Sequence, residues 1–447
     1  MSGAFVASRG PSTTSSIAAA LLALVFAAVI WRQTSGRGPP IWTIFVAGAF
    51  AYVALGVLSV PAGEQALAAS APTLVFLFCL FLFAGALDQA GVMDHLARWI
   101  IGRAVHPADL PLYLFLGVGI VSAFVVNDAL VIIGVPLLIG VARRIGANAK
   151  ALLLTLAFSV TVGSTLTPFG NPQNLIVALE TGLPSPVAVF LRYLAVPTAL
   201  NLLLGALYVR WAFRRQMPSS PIAGRLPEGR TRLFPTAGWG RRLLAHPVLW
   251  IFPGTLLVLV TLGITQSVTA GPAIPVWEIA LAGVVLLLLL SPGRSRTVQR
   301  VNWTILILFA GLFVVVAGAV GGGVIPALDA LVPIAGPSHP LPGMVEVVVA
   351  ALGGSQLVSN VPWVALQIPV LNGLGYGGGT PVVWMALAAG STLAGNVTLL
   401  GAVSNLIVVD SAEKLGVKIH LREFVRYGLP LTALSVLVLV GCLALGL

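Results

Sequence analysis

Four short polar runs interrupt an otherwise apolar chain, and their residue types suit the binding of a small ion. Two are brief, Asn127-Asp128 and Ser359-Asn360; two are longer, Gly163–Asn174 and Gly395–Asn405. In the first long run Pro168 and Pro172 each remove a backbone donor and clash with the preceding helical turn. Gly163 and Gly170 admit unusual backbone angles on either side. The run is therefore expected to break a helix. Unwinding frees carbonyls that can bind a cation and exposes a half-helix N-terminus that favours an anion. Asn, Ser and Thr add neutral donors and acceptors without the cost of a buried charge. The candidate ion and substrate ligands are Ser122, Asn127, Asp128, Thr167, Gly170, Asn171 and Asn174 in the first half of the chain. Those in the second half are Ser355, Ser359, Asn360, Thr398, Gly401, Ser404 and Asn405. Asp128 is costly to keep charged and unpaired in apolar surroundings, which points to ion coupling; it also precedes the helical run Ala129–Ala142, where Asp is a favoured N-cap. The competing reading of any one break is a packing kink, with Asn and Ser joining neighbouring helices.

The elements that hold these runs must be membrane helices. The chain of 447 residues is 58% hydrophobic and 8% charged, against about 25% charged in a soluble domain. Cys79 and Cys442 both lie in apolar runs, so neither a disulfide framework nor a Cys-based zinc site is present. At about 20 residues per crossing, spans are expected at Ser16–Trp31, Ile41–Val60, Ala71–Leu87, Lys150–Leu179, Arg192–Phe213, Pro247–Gln266, Val276–Leu290, Trp303–Val320, Pro381–Val409 and Tyr427–Leu447. Leu110–Ala142 and Pro340–Leu371 are each interrupted midway and too short for two full crossings with a loop. Each is expected to be a re-entrant helical hairpin whose tip stops within the membrane. The fold class is thus an all-α polytopic membrane protein, with about ten spans, two of them broken, and two hairpins. No cleavable signal peptide is convincing, because the first apolar run lacks a small-residue cleavage site.

Charge tests this count. If each hairpin enters and leaves on one face, every Lys and Arg of the 24 falls on one side except Arg9 and Arg192. The opposite connections, Pro61–Ser70, Ser267–Pro275 and Gly323–His339, contain none. By the positive-inside rule the basic face is cytoplasmic, the Arg-rich loop at 214–246 included, and both termini lie outside an inner membrane. The net charge of +11 therefore serves topology, and no nucleic acid partner is implied.

The chain also repeats itself at a spacing of 231 to 234 residues. Ser122, Asn127 and Pro136 align with Ser355, Asn360 and Pro369; Thr167, Gly170 and Asn174 with Thr398, Gly401 and Asn405; Arg192-Tyr193 with Arg426-Tyr427; Thr198 with Thr432. Repeat 1 covers 71–213 (span, hairpin 110–142, broken span 150–180, span). Repeat 2 covers 303–447 (span, hairpin 340–371, broken span 381–409, span). Scaffold spans occupy 1–70 and 247–302. By the charge count the two copies are inverted in the membrane, an architecture of secondary transporters with the site where the copies meet.

Asn127-Asp128, Ser359-Asn360, the Gly170–Ile176 run Gly-Asn-Pro-Gln-Asn-Leu-Ile and the Gly401–Ile407 run Gly-Ala-Val-Ser-Asn-Leu-Ile together resemble the ion transporter superfamily. That group includes divalent anion/sodium symporters, citrate carriers, arsenite permeases and sodium/proton antiporters. The resemblance runs from about Ala71 to the end and is closest to bacterial anion permeases near the arsenite-permease branch. It implies an elevator-type carrier, with one Na⁺ site at Ser122, Asn127 and Gly170 and another at Ser355, Asn360 and Gly401. The symporters' tips read Ser-Asn-Thr; here they read Val126-Asn127-Asp128 and Ser359-Asn360-Val361, and Asp128 is similar to the Asn-Asp tip of arsenite permeases.

The function expected is secondary transport of a small anion or oxyanion coupled to Na⁺ or H⁺, with arsenite efflux and Na⁺/H⁺ antiport as alternatives. The chain has no Gly-x-x-x-x-Gly-Lys-[Ser/Thr] loop, His-Glu-x-x-His or Gly-x-Ser-x-Gly, which disfavours a pump or an enzyme. A channel is disfavoured by paired hairpin tips. The partners expected are a small anionic substrate, Na⁺ or H⁺ and membrane lipid, with a homodimer open; no cofactor is called for beyond Na⁺ as a coupling ion. Asp88, Asp94 and His95 read as a solvated helix end, Glu180, Glu278, Glu346 and Asp410 as interface residues, and Arg192 and Arg426 as snorkelling anchors.

Overall fold

The computed structural model describes residues 13–35, 37–92, 106–219, 246–268, 274–291 and 293–446, together with 95, 96, 99 and 103. Arg9, Asp94, Arg98 and most of the Arg-rich loop fall outside them. The described residues are helical with no strand. In chain order come α1 (Thr13–Ser35), α2 (Ile41–Ala54), α3 (Val60–Gln89), α4 (Leu110–Ser122), α5 (Asn127–Ile145), α6 (Ala149–Gly163), α7 (Pro172–Glu180) and α8 (Pro186–Phe213). Then follow α9 (Val248–Val268), α10 (Val276–Leu290), α11 (Arg294–Gln299), α12 (Trp303–Gly321), α13 (Ile325–Leu331), α14 (Pro340–Val358), α15 (Asn360–Gly373), α16 (Pro381–Ala394), α17 (Val403–Lys414) and α18 (Leu421–Leu445). Seven helices, α1, α3, α8, α9, α12, α14 and α18, are long and apolar enough to cross a membrane, and shorter apolar helices accompany them.

Both broken spans are broken. The first divides into α6 and α7 across residues 164–171, the second into α16 and α17 across 395–402. Proline opens α7, α8, α14 and α16 at the first helical positions, where its missing N–H has no intrahelical partner to lose. Each hairpin pairs a short arm with a longer one. α4 and α15 have 13 and 14 residues, while α5 and α14 have 19, enough by length alone for a crossing.

The helices sort into two bodies. In one, α2 packs on α12 and α1, α12 on α3, and α10 on α3 and α9. Gly311 and Gly318 of α12 let it press against Phe45 and Tyr52 of α2, the close approach that small residues permit between membrane helices. In the other body α4 packs on α6 and α8, α14 on α16, and α8 on α18. The bodies meet where α3 touches α7, α9 touches α8, α12 touches α15 and α1 touches α14. Thr73 of α3 donates to Glu180 Oε1 of α7 across this boundary at 2.7 Å.

The helices α8 and α18, related by the sequence repeat, run antiparallel. Asn201 of α8 donates to the carbonyl of its counterpart Ser435 on α18 at 3.1 Å, and Tyr208, later in α8, donates to the carbonyl of Tyr427, earlier in α18, at 3.0 Å. Contacts are exchanged between the halves: α5 packs on α17, and α15 packs on α7. Exchange of this kind is what a two-fold relation produces.

The hairpins open toward opposite ends of α8. Asp109 ahead of α4 pairs with Arg210 at 2.8 Å, and Asn148 after α5 donates to Gln216 at 2.9 Å, so both feet of hairpin 1 sit at the C-terminal end of α8. The feet of hairpin 2 are joined by Tyr376, which donates to the Ala335 carbonyl at 2.7 Å. Beside them Gly378 presses on the carbonyl of Gly182, just ahead of α8.

Candidate functional site

The first break is held by side chains that replace the lost helix bonds. Asn171, the N-cap of α7, accepts from Asn174 N at 2.9 Å. The Asn174 amide donates to the carbonyls of Ser164 at 2.9 Å and Thr167 at 3.1 Å. Thr167 donates to the Ala123 carbonyl and accepts from Phe169 N at 3.1 Å. The tip of hairpin 1 docks here. Asn127 N donates to the Gly170 carbonyl at 3.2 Å, and Asn127 Nδ2 donates to Ser164 Oγ at 3.1 Å. The Ser122 hydroxyl divides one proton between Asn127 Oδ1 at 2.9 Å and the Val160 carbonyl at 2.6 Å. A Cβ on Gly170 would stand 2.7 Å from Ser164 Cα and 2.8 Å from the Ser122 carbonyl; only glycine allows this docking.

The second break repeats the pattern with different atoms. Asn405 Nδ2 donates to the carbonyls of Gly395 at 2.5 Å and Thr398 at 3.4 Å, the counterparts of Ser164 and Thr167. Thr398 donates to Gln356 Oε1 at 2.8 Å and accepts from Leu400 N at 3.2 Å. The tips differ more. α4 stops at Ser122, four residues before α5, whereas α14 continues to Val358 and leaves Ser359 alone between the arms. Ser359 has φ 72° and ψ 162°, a conformation essentially reserved for glycine and costing about 1–3 kcal/mol. With Gly395 in place of Ser164, Asn360 meets no hydroxyl. Ser355 Oγ, Asn360 Oδ1 and Asn405 Oδ1 are buried without a hydrogen-bond partner.

The four runs enclose one cavity between the two bodies. The tips contribute Asn127, Asp128, Ser359 and Asn360; the breaks contribute Asn171, Gln173 and Ser404; and α6 and α16 contribute Thr161 and Thr392. Gln33 of α1, Phe45 of α2 and Phe309 of α12 form the far wall. About 70 Å³ is open to water, several times the least that holds one water molecule. The first residues of α5, α7, α15 and α17 all line it, so four helix N-termini converge on one space. Among the described residues no Lys, Arg or His lines it, and Asp128 is the one charged side chain.

Six of the fourteen expected ligands therefore face the cavity: Asn127, Asp128, Asn171, Ser359, Asn360 and Ser404. Ser122, Thr167, Gly170, Asn174, Ser355, Thr398, Gly401 and Asn405 stand behind them and shape the tips and breaks. Asp128 lies inside the first turn of α5, whose N-cap is Val126 with no side-chain cap, so the capping role fails. Thr392 joins the halves: it donates to Asn174 Oδ1 at 3.0 Å and accepts from Asn171 at 3.2 Å and Gln173 at 3.3 Å. Sequence reasoning missed it. The signal was available, because Thr161 and Thr392 stand at the repeat spacing of 231.

Outside the cavity, Asp88 is paired with Arg300, Glu346 accepts from Ala335 N at 2.6 Å and Asp410 pairs with Lys414 at 2.6 Å. Arg192 and Arg426 each lie 5.5 Å from the ring centroid of the following tyrosine.

Comparison with known proteins agrees with this architecture. The 46 kDa membrane protein of Mycobacterium leprae is 28% identical over 380 residues, covering 80% of this chain and 82% of that protein. The silicon efflux transporter LSI3 of Oryza sativa subsp. japonica is 26% identical over 418 residues, covering 81% and 84%. Among solved structures, MtrF of Neisseria gonorrhoeae, from a class of antimetabolite efflux pumps, superimposes with a TM-score of 0.53 over 97% of this chain and 95% of that one. At 12% identity this is a likeness of fold alone. A family model described as citrate transporter, CitMHS, matches residues 22–390. The resemblance read from the tips and breaks is borne out: the chain belongs to the CitMHS citrate transporter family of the ion transporter superfamily, and is a multi-pass membrane transporter, not an enzyme.

Proposed function

We propose that this chain is a secondary active transporter that moves a small oxyanion, or its undissociated oxyacid, across the inner membrane, driven by Na⁺ or H⁺. The convergence of four helix N-termini on one cavity carries this reading. Each N-terminus acts as about half a positive charge, which attracts an oxyanion without a formal cation. Asp128 opposes a bare polyanion, so the balance favours a substrate that is small, protonated or accompanied by a cation. The silicon efflux of the rice relative adds silicic acid to the compounds worth testing. Arsenite efflux is one form of this reading.

The neutral oxygens of Ser355 and Asn360, buried and unpartnered, fit a Na⁺ ion travelling as co-substrate. At Ser122, Asn127 and Gly170 the ion would displace the Ser122–Asn127 hydrogen bond, so the second-repeat site is the tighter of the two. Asp128 is the titratable group at hand for H⁺ coupling or for Na⁺/H⁺ exchange.

The hairpins dip into the bilayer without crossing, repeats 71–213 and 303–447 are inverted, and the body carrying both tips slides against the scaffold as an elevator. The antiparallel α8 and α18 and the opposite openings of the hairpins support this. Scaffold residues lining the cavity sit at the ends of α1, α2 and α12 nearest Arg32, Arg37 and Arg300. On this reading the cavity opens to the basic side, taken as cytoplasmic by the positive-inside rule, with both termini outside.

A thermal-shift screen of the purified protein against citrate, sulfate, arsenite and silicic acid, in Na⁺ and in choline, tests the reading. Binding stabilises by RT ln(1 + [L]/Kd), so a substrate raises the melting temperature, and more so in Na⁺ if Na⁺ couples. Proteoliposomes should then accumulate that compound uphill under a Na⁺ or H⁺ gradient. Purely downhill flux would mean a channel; no shift and no flux with any compound would end the proposal.

A further inference from the structure

Gln33 stands in the last turn of α1, in a segment that sequence reasoning gave to the scaffold alone. It lines the cavity opposite Asn127, Asp128, Ser359 and Asn360. Both polar atoms of its amide, Oε1 and Nε2, are closed to water and have no hydrogen-bond partner. The wall around it, Ile41, Phe45, Ile305, Leu308 and Phe309, offers no side-chain donor or acceptor. A buried amide left unpaired is destabilising, and Leu would fill similar space without that cost. The amide therefore suits a partner that enters the cavity.

We infer that Gln33 is a specificity-determining residue that contacts the transported oxyacid from the scaffold side. This rests on the reading of the cavity as the transport site. The side-chain amide both donates and accepts. It can donate from Nε2 to one substrate oxygen and accept at Oε1 from a hydroxyl on another. A fully deprotonated oxyanion only accepts and would satisfy half of the pair, so Gln33 selects substrates that retain at least one O–H. Because α1 belongs to the body that does not carry the tips, the contact exists only while the site faces the basic side. Gln33 therefore sets affinity on that face and not on the other.

The test uses the full-length protein in everted and right-side-out vesicles, with arsenite and silicic acid, undissociated at neutral pH, and sulfate, which is not. Gln33→Leu is expected to raise KM about three- to tenfold, the loss of one or two neutral hydrogen bonds, for arsenite or silicic acid presented to the basic face. KM at the opposite face and the dependence on Na⁺ and pH should not change. Gln33→Glu removes the donor and adds a second negative charge to the cavity that Asp128 lines, so it should suppress any sulfate transport more strongly than arsenite or silicic acid transport. An unchanged KM on both faces, an equal rise on both, or a wild-type preference for sulfate would overturn the proposal. A wild-type protein that carries none of the three compounds, nor citrate, would instead overturn the transport reading beneath it.

Discussion

At the scale of single residues, the two tip asparagines are equivalent in sequence and unlike in structure. Asn127 gives and receives hydrogen bonds through Ser164 and Ser122, whereas Asn360 Oδ1 has no partner. Asn360→Ala should therefore leave the melting temperature in detergent close to wild type while weakening Na⁺-dependent stabilisation at least tenfold in apparent Na⁺ affinity. Asn127→Ala should also lower thermal stability, by about 1–3 kcal/mol, because it removes the bonds to Ser122 and Ser164 from a buried network. Equal behaviour of the two variants in both assays would refute the distinction. Asp128 raises a second expectation. It neither caps α5 nor belongs to an ion pair among the described residues, so its charge is available to transport. Asp128→Asn should fold normally and transport with an altered pH or Na⁺ profile in proteoliposomes. Identical profiles would reduce it to a bystander.

At the scale of elements, glycine decides how closely the hairpin arms approach the broken helices. A Cβ on Gly163, at the end of α6, would run into the backbone carbonyl of Gly119 in α4. Backbone cannot step aside as a side chain can. Gly163→Ala should cost about 1–3 kcal/mol or more, read as a lower melting temperature and a lower yield of folded protein. Gly140→Ala in α5 is the control, since nothing lies within 4 Å of the added methyl; it should be neutral or slightly stabilising. The hairpins, both breaks and their equivalence were legible in the sequence because proline, glycine and asparagine act through local backbone physics. The unequal tips were not. Ser359 adopts a glycine-like conformation that no residue preference announces, and it follows from α14 running a turn further than α4. Gln33, Phe45 and Phe309 were invisible for a different reason: which residues of an apolar helix meet a distant cavity depends on packing between bodies, and hydropathy carries no record of that.

At the scale of the whole molecule, the boundary between the two bodies is where motion would occur. Thr73 and Glu180 face each other across it at 2.7 Å. Both native cysteines are buried, which favours work with introduced thiols. In the variant Thr73→Cys/Glu180→Cys, oxidation should arrest transport and a reductant should restore it, with either single variant insensitive to both. Full transport by the oxidised double variant would exclude sliding at this boundary.

The meeting of Asn201 with its own counterpart Ser435 has a historical consequence. A position that faces its equivalent lies on a local axis of symmetry, as in a dimer of identical chains. Each half keeps most of the surfaces by which it recognises the other: α8 for α18, and the second arm of one hairpin for the post-break helix of its opposite. The segment at 220–245 joins the halves in sequence. Residues 1–219 and 246–447, made as two polypeptides in one cell, should accordingly co-purify as a complex with the thermal stability of the parent. The single chain would then be a fused pair, with covalent continuity fixing how the halves enter the bilayer and their complementarity fixing what they become.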